Sequence, residues 1–232
     1  MRDAIASFFD ARFLSRLLAT PRGRAFMLSF MAEAEESDEK GVFDALLERV
    51  SDPSLHRLVR RHVDDEAKHA RMLRERVAAI VEKAGIAEPR VPRELSIVPR
   101  IDAMLGGVAE RFVARESGIM EAYVLLQVVE ERAVVQFPKI AAAFAVVDPE
   151  SAAVVRAITA DEKRHVLYAR AINERYAPDG KTLSRTLAEY RAVEQRAFDE
   201  NGAAFLRHAL DVGLLDLRLP ERILWRAMAA AA

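Results

Sequence analysis

The chain has 232 residues, 35 basic against 36 acidic side chains for a formal net charge of -1, and no cysteine. That length suits one large domain, and the balanced charge advertises neither nucleic acid, an anionic membrane nor a polycation as partner. The missing thiol excludes disulfides, iron–sulfur clusters, thiolate zinc sites and a rubredoxin-type electron-transfer module, leaving His, Asp and Glu as the strong metal ligands.

At the start, Met1 to Arg16 mixes Asp3 and Asp10 with Arg2 and Arg12, so no secretory h-region is expected and the protein reads as cytoplasmic. Apolar residues at spacings of three and four then predict helices in chain order. The first spans 3–19, and a long second helix over 22–50 follows Pro21. Ser51-Asp52-Pro53 ends it, and 54–84 continues beyond. Gly85 to Pro99, with three prolines, breaks the pattern. Helices over 109–146 and 150–176 are separated by Asp148-Pro149, and Pro138 inside the former predicts a kink or a split. Ala177-Pro178-Asp179-Gly180 precedes a helix over 182–211, and Pro220 opens a last one over 219–230. No run reaches the roughly 20 apolar residues that span a bilayer, so no membrane is expected as partner. The fold class is all-α. The two short links imply antiparallel hairpins, and the stretch after Gly85 must carry the chain between them as a long crossover. The whole of 1–232 reads as one domain, with a core bundle over 22–176 and helices added at both ends.

An internal repeat organises the two hairpins. With Phe43 laid on Phe137, Glu36 falls on Glu130, each seven residues before its phenylalanine. Allowing two extra residues in the second copy, Asp52-Pro53 falls on Asp148-Pro149, and fourteen residues further stand Glu66 and Glu162. Both glutamates follow an aspartate and precede a histidine by three: Asp65-Glu66-Ala67-Lys68-His69 and Asp161-Glu162-Lys163-Arg164-His165. One Glu-x-x-His alone reads equally well as a solvated helix surface; two at matched places in a repeat do not.

On a helix, positions i and i+3 project to one side, so each Glu-x-x-His directs a carboxylate and an imidazole at one point. Glu36 lies on an apolar stripe with Phe43 and Leu47, where an acid demands an explanation. Four buried carboxylates would protonate unless balanced, and two divalent cations balance them. Oxygen-rich coordination with one imidazole per metal suits iron or manganese, with open positions for dioxygen or peroxide. Glu33, Glu35 and Glu131 compete with Glu36 and Glu130, and only the Phe43/Phe137 register favours the latter pair. Glu33, which aligns with Gln127, reads as a solvated neighbour or an extra ligand. His62, four before Glu66 and on nearly the same face, reads as a hydrogen-bonded histidine rather than a third imidazole ligand, and Tyr123 and Tyr168 as packing residues or cavity lining.

The order Glu36, Glu66-x-x-His69, Glu130, Glu162-x-x-His165 resembles the ferritin-like superfamily of carboxylate-bridged di-iron proteins over about residues 22–176. The resemblance implies a ferritin-like four-helix bundle holding two iron ions, with Fe/Fe expected and Mn/Fe as the variant. It also implies Glu66 and Glu162 as bridging ligands and Glu36 and Glu130 as terminal ones, with one histidine on each metal. Asp65 and Asp161 would then accept from the histidine of the opposite hairpin. The expected activity is that of a di-iron oxidase or oxygenase using dioxygen or peroxide, an external electron donor and a separate organic substrate. The layout is also similar to the tRNA hydroxylases that act on a prenylated adenosine, to which Glu130-Glu131-Arg132 followed by Phe137 fits loosely. Basic hints for an RNA substrate are limited to Arg57, Arg60, Arg61, Arg90, Arg93 and Arg100. The alternatives are a ferroxidase or iron-handling relative and a metal-free helical interaction protein. The amphipathic C-terminal helices either cover an open side of the bundle or form a homodimer surface.

Overall fold

The computed structural model describes residues 11–38, 40–107 and 118–231. Among these the chain is all-helical, with no strand. The helices are α1 (11–18), α2 (Pro21–Glu33), α3 (Lys40–Arg49), α4 (Pro53–Ala84), α5 (Val98–Met104), α6 (Gly118–Val147), α7 (Pro149–Tyr176), α8 (Gly180–Asp211) and α9 (Leu219–Ala231). The predicted starts of the helices over 3–19 and 109–146 lie outside the described residues.

Local chemistry sets these boundaries. Asp52 and Asp148 cap α4 and α7, each followed by a proline whose missing N–H costs nothing at a helix start. The Asp52 carboxylate accepts from Ser54 N at 2.8 Å and Leu55 N at 3.3 Å, and Asp148 accepts from Ser151 N at 3.2 Å. Thr20 caps α2 and Asp179 caps α8 in the same way, while Gly85 ends α4 in the left-handed region at φ 62°.

The helix expected over 22–50 is α-helical over Pro21–Glu33 and Lys40–Arg49, with a wider π-helical turn over Ala34–Asp38 between them. Of the kink or split expected at Pro138, the split does not occur, and α6 runs through the proline as one helix. The stretch after Gly85 also carries short helical pieces, Arg93–Leu95 and α5.

Helix α2 packs along α4, α6 packs along α7, and α4 meets α7, which joins the two hairpins. Helix α8 lies against α6, with α9 on α8. The C-terminal helices therefore cover the bundle in this structure. Arg132 on α6 ties α8 down through paired bonds of 2.9 and 2.8 Å to Glu194, and its guanidinium stacks over Phe198.

The core divides into two apolar clusters. One includes Phe26, Leu28, Met31, Leu73, Phe144 and Ile158; the other includes Phe43, Leu46, Val59, Leu126, Tyr123 and Ile172. Along α4 the chain passes from Val59 in one cluster to Leu73 in the other, and the residues between include buried His62, Glu66 and His69. Helices α6 and α7 do the same with Glu130, Glu162 and His165. A polar layer thus crosses the middle of an otherwise oily bundle.

Candidate metal centre

Glu66 and Glu162 sit at the centre of this layer. Glu66 places Oε1 3.3 Å from His165 Nδ1 and Oε2 3.7 Å from His69 Nδ1. Glu162 mirrors it, with Oε2 2.9 Å from His165 Nδ1 and Oε1 3.2 Å from His69 Nδ1. Each carboxylate therefore spans both imidazoles. Glu130 Oε1 lies 3.3 Å from His165 Nδ1 on one side, and Glu35 Oε2 lies 3.1 Å from His69 Nδ1 on the other.

Two overlapping groups result, His62, Glu66, Glu130 and His165, and Glu35, Glu66, His69 and Glu162. Within each, the donor atoms lie within 4.8 Å of one another, close enough to hold a metal ion. Neighbouring ligands on a cation with bonds of about 2.1 Å stand roughly 3 Å apart, as these atoms do. Glu66 Oε1 and Glu162 Oε1 are buried and accept no well-aligned hydrogen bond, although His62 Nε2 stands 3.0 Å from the first and His69 Nδ1 3.2 Å from the second. An orphaned carboxylate oxygen inside a protein is costly, and a cation is the partner that would satisfy it.

The far nitrogens are held crosswise between the hairpins. His69 Nε2 on α4 lies 3.1 Å from Asp161 Oδ2 on α7, and His165 Nε2 on α7 lies 3.4 Å from Asp65 Oδ2 on α4. Nε2–H donation turns each Nδ1 lone pair toward the carboxylates. Lys68 bonds Asp161 at 2.9 Å and Arg164 pairs with Asp161 and Asp65. These cations, which lie between the Glu and His of each motif in sequence, thus reach the aspartates.

Glu36 is the expected ligand that the structure does not bring to the cluster. It is exposed and pairs with Arg74, while Glu35 turns inward. The π turn explains the exchange. Such a turn holds one residue more than the α-helical turn it replaces, so the face reached seven residues before Phe137 is reached eight before Phe43. Glu33 lies toward Arg74 as well, at 3.3 Å, and Glu131 is engaged by Arg170 and Arg191 on the outer face.

His62, read from the sequence as a hydrogen-bonded histidine rather than a ligand, is hydrogen-bonded within the first of these groups. Its Nε2 is 2.9 Å from Glu130 Oε1 and 3.0 Å from Glu66 Oε1, its ring meets Phe43, and its Nδ1 bonds the Tyr168 hydroxyl. The spacing of four before Glu66 was the available signal. Tyr123 is buried against Tyr168 rather than in a cavity, and His208 stacks on Phe26.

Burial and the neighbouring Glu66 push the Glu35 carboxyl well above the usual carboxylate range. Burial opposes ionisation of Glu66 too, yet hydrogen bonds from His62, His69 and Glu35 hold it well below that range. Burial likewise resists charging of His69 and His165, but the carboxylates outweigh it, Glu162 foremost, and both imidazoles are raised. His62, by contrast, is lowered by burial.

A pH dependence follows. Groups whose pKa is raised hold their protons to higher pH than an ordinary carboxyl or imidazole, and a cation must displace those held on Glu35, His69 and His165. Metal affinity is therefore expected to rise with pH, and binding to release protons. Zinc titration calorimetry in buffers of different ionisation enthalpy, at pH 6 and pH 8, measures both. Affinity independent of pH would contradict this set of ligands.

A cavity of about 420 Å³ opens onto the carboxylates of Glu35, Glu66, Glu130 and Glu162. Helices α1, α2, α6, α8 and α9 contribute its walls, which are mostly apolar. No family model, curated protein or solved structure matches the chain. Among the described residues, no helix is long and apolar enough to cross a membrane.

Proposed function

We propose that this chain is a ferritin-like di-iron oxidoreductase that activates dioxygen or peroxide toward a separate organic substrate. The observation that carries the reading is the double span of Glu66 and Glu162, each with one oxygen toward His69 and the other toward His165. That is the disposition two bridging carboxylates need in a four-helix bundle. Glu35 and Glu130 serve as the terminal carboxylates, and Asp161 and Asp65 orient the imidazoles. When bound, two iron ions would supply the electrons that reduce the oxidant. His62, between Tyr168 and Glu130, is placed to hold or pass a proton at Nε2. Mostly apolar walls stand beside the carboxylates at that end of the cavity.

The cavity favours an organic substrate over pure iron handling, because a ferrous ion has no use for aromatic walls. A metal-free interaction scaffold would leave these residues exposed or paired with one another; Glu66, His69, Glu162 and His165 are buried, and their mutual Glu–His contacts of 2.9 to 3.7 Å fit that reading too, so metal analysis with and without Glu66→Ala discriminates. An RNA substrate gains little from the site, where the lining arginine, Arg132, is already paired with Glu194.

Anaerobic Fe(II) titration followed by oxygen exposure, watched by absorption and Mössbauer spectroscopy, tests the proposal. A coupled diferric signal after about two irons per chain is expected. An inert mononuclear signal would overturn it, and the same spectra distinguish Fe/Fe from Mn/Fe occupancy.

A further inference from the structure

The two hairpins stop matching at His62. When they are laid on one another by their Glu-x-x-His motifs, His62, four residues before Glu66, falls on Ile158, four before Glu162. Three residues after each histidine the difference recurs, with Tyr168 in the second copy and Met72 in the first. An imidazole and a phenol therefore meet on one side of the polar layer, while the matched places of the repeat hold apolar side chains. Ile158 is fully buried, as suits the core of a bundle; His62 is 2% exposed and carries two ring nitrogens that burial obliges it to satisfy.

Both nitrogens are placed as those of a metal ligand. Nε2 stands 2.9 Å from Glu130 Oε1 and 3.0 Å from Glu66 Oε1, and His165 Nδ1 stands 3.3 Å from each of the same two oxygens. Two imidazoles thus share one pair of carboxylate oxygens, at the roughly 3 Å that neighbouring ligands of one cation keep. Hydrogen bonding alone explains less. A single Nε2–H aligns on Glu130, and Glu66 Oε1 accepts none in alignment. The far nitrogen, Nδ1, meets the Tyr168 hydroxyl, as the far nitrogens of His69 and His165 meet Asp161 and Asp65. Metal-bound histidines keep that arrangement, one nitrogen inward and the other on an oxygen acceptor. Glu35, Glu66, Glu130 and Glu162 line the cavity, and none of these three histidines does. A third imidazole therefore leaves the cavity side of the centre as open as two would.

We propose that His62 is a third imidazole ligand, bound through Nε2 to the metal of Glu130 and His165, and that the two metals of the centre are therefore unlike. This rests on the two-metal part of the function proposed above. One metal has two nitrogen donors; the other, held by Glu35 and His69, has one and is otherwise oxygen-ligated. While the site is empty Nε2 holds the proton it donates to Glu130. The metal bond takes the place of that proton, and the ring carries its N–H at Nδ1 instead, donated to the Tyr168 oxygen. Imidazole suits iron and zinc where carboxylate suits manganese, so a mixed pair would place iron with His62 and manganese with Glu35.

Cadmium NMR on the full-length protein, loaded with redox-inert cadmium and carrying a spin-half nitrogen isotope in its histidines, counts the bonds directly. A cadmium–nitrogen splitting passes only through a coordinate bond. One cadmium signal is expected to be split by two nitrogens and the other by one. His62→Gln, whose amide can still hydrogen-bond Glu130 or Tyr168, should leave each signal split by one nitrogen. It should also weaken the tighter of two zinc-binding steps by at least about tenfold, since partners that only orient a metal-bound histidine already cost that much when removed. His62→Ile, which copies Ile158 of the other hairpin, should give the same spectrum and serves where the glutamine variant folds poorly. Two cadmium signals each split by a single nitrogen in the unmodified protein would overturn the inference and leave the two-metal reading standing, with His62 as a hydrogen-bonding neighbour. A second splitting that persists in both variants would assign the extra nitrogen to another histidine and overturn it too. A protein that holds no cadmium, zinc or iron would overturn the inference together with the metal centre itself.

Discussion

Glu66→Ala is expected to remove metal from both halves of the centre, because this carboxylate belongs to both ligand groups. Glu35→Ala and Glu130→Ala each strike one group and should leave the other half able to bind. Glu36→Ala should leave metal content at the wild-type level, since that carboxylate is exposed and paired with Arg74. The stability readout is large. A metal present at 1,000 times its dissociation constant stabilises the folded state by roughly 4 kcal/mol. In a chain of this size that raises the melting temperature by roughly 8–16 °C. The gain on adding zinc or iron should vanish in Glu66→Ala and persist in Glu36→Ala. Metal analysis beside thermal melts checks both, and a Glu66→Ala protein that keeps the full gain would show that the bridging carboxylate lies elsewhere.

Gly23→Ala is expected to be the most damaging single methyl in the described fold. A Cβ at Gly23 would stand 1.9 Å from Leu17 O, 2.8 Å from Leu17 C and 3.1 Å from Leu214 O. These are backbone atoms and cannot rotate away. Gly23 N also donates to Thr20 Oγ1 at 3.0 Å, and Thr20 Oγ1 bonds Leu214 O at 3.3 Å, so the glycine sits in a three-way junction of α1, α2 and the segment after α8. Overpacking here should cost about 3 kcal/mol or more and lower the melting temperature by roughly 6–12 °C. Gly202→Ala is the matched control: its Cβ meets nothing, and helix propensity favours alanine, so it should be neutral or slightly stabilising. Equal melting temperatures for the two variants would mean that α1 does not seat against α2 so closely. Because Phe13 and Leu14 of α1 line the cavity, Gly23→Ala should also weaken ligand binding there.

Helix boundaries were legible wherever a side chain acts on its own backbone. Asp52-Pro53, Asp148-Pro149 and Asp179-Gly180 stop or start helices through caps that involve only near neighbours. The Glu-x-x-His pairs were legible for the same reason, since three residues on a helix bring two side chains to one side. The helix does not split at Pro138, because neighbouring helices can hold a helix through one missing hydrogen bond, and α7 packs along this one. The choice of Glu36 failed through one extra residue in a π turn, which leaves no mark in composition or periodicity yet rotates every upstream side chain by one place. His62 was visible on the right face, but one face of a helix does not say what stands opposite; only the approach of Glu130 from α6 and Tyr168 from α7 made it part of the centre.

By itself, the sequence determined an all-helical chain, its main punctuation, its lack of thiol ligands and the repeated acidic and imidazole pairs, because each depends on interactions within a few residues. The tertiary structure alone decided which acid turns inward and that α8 and α9 help to wall an apolar cavity beside the carboxylates. Those features depend on groups that lie far apart along the chain and meet only when the helices pack, so no local pattern encodes them.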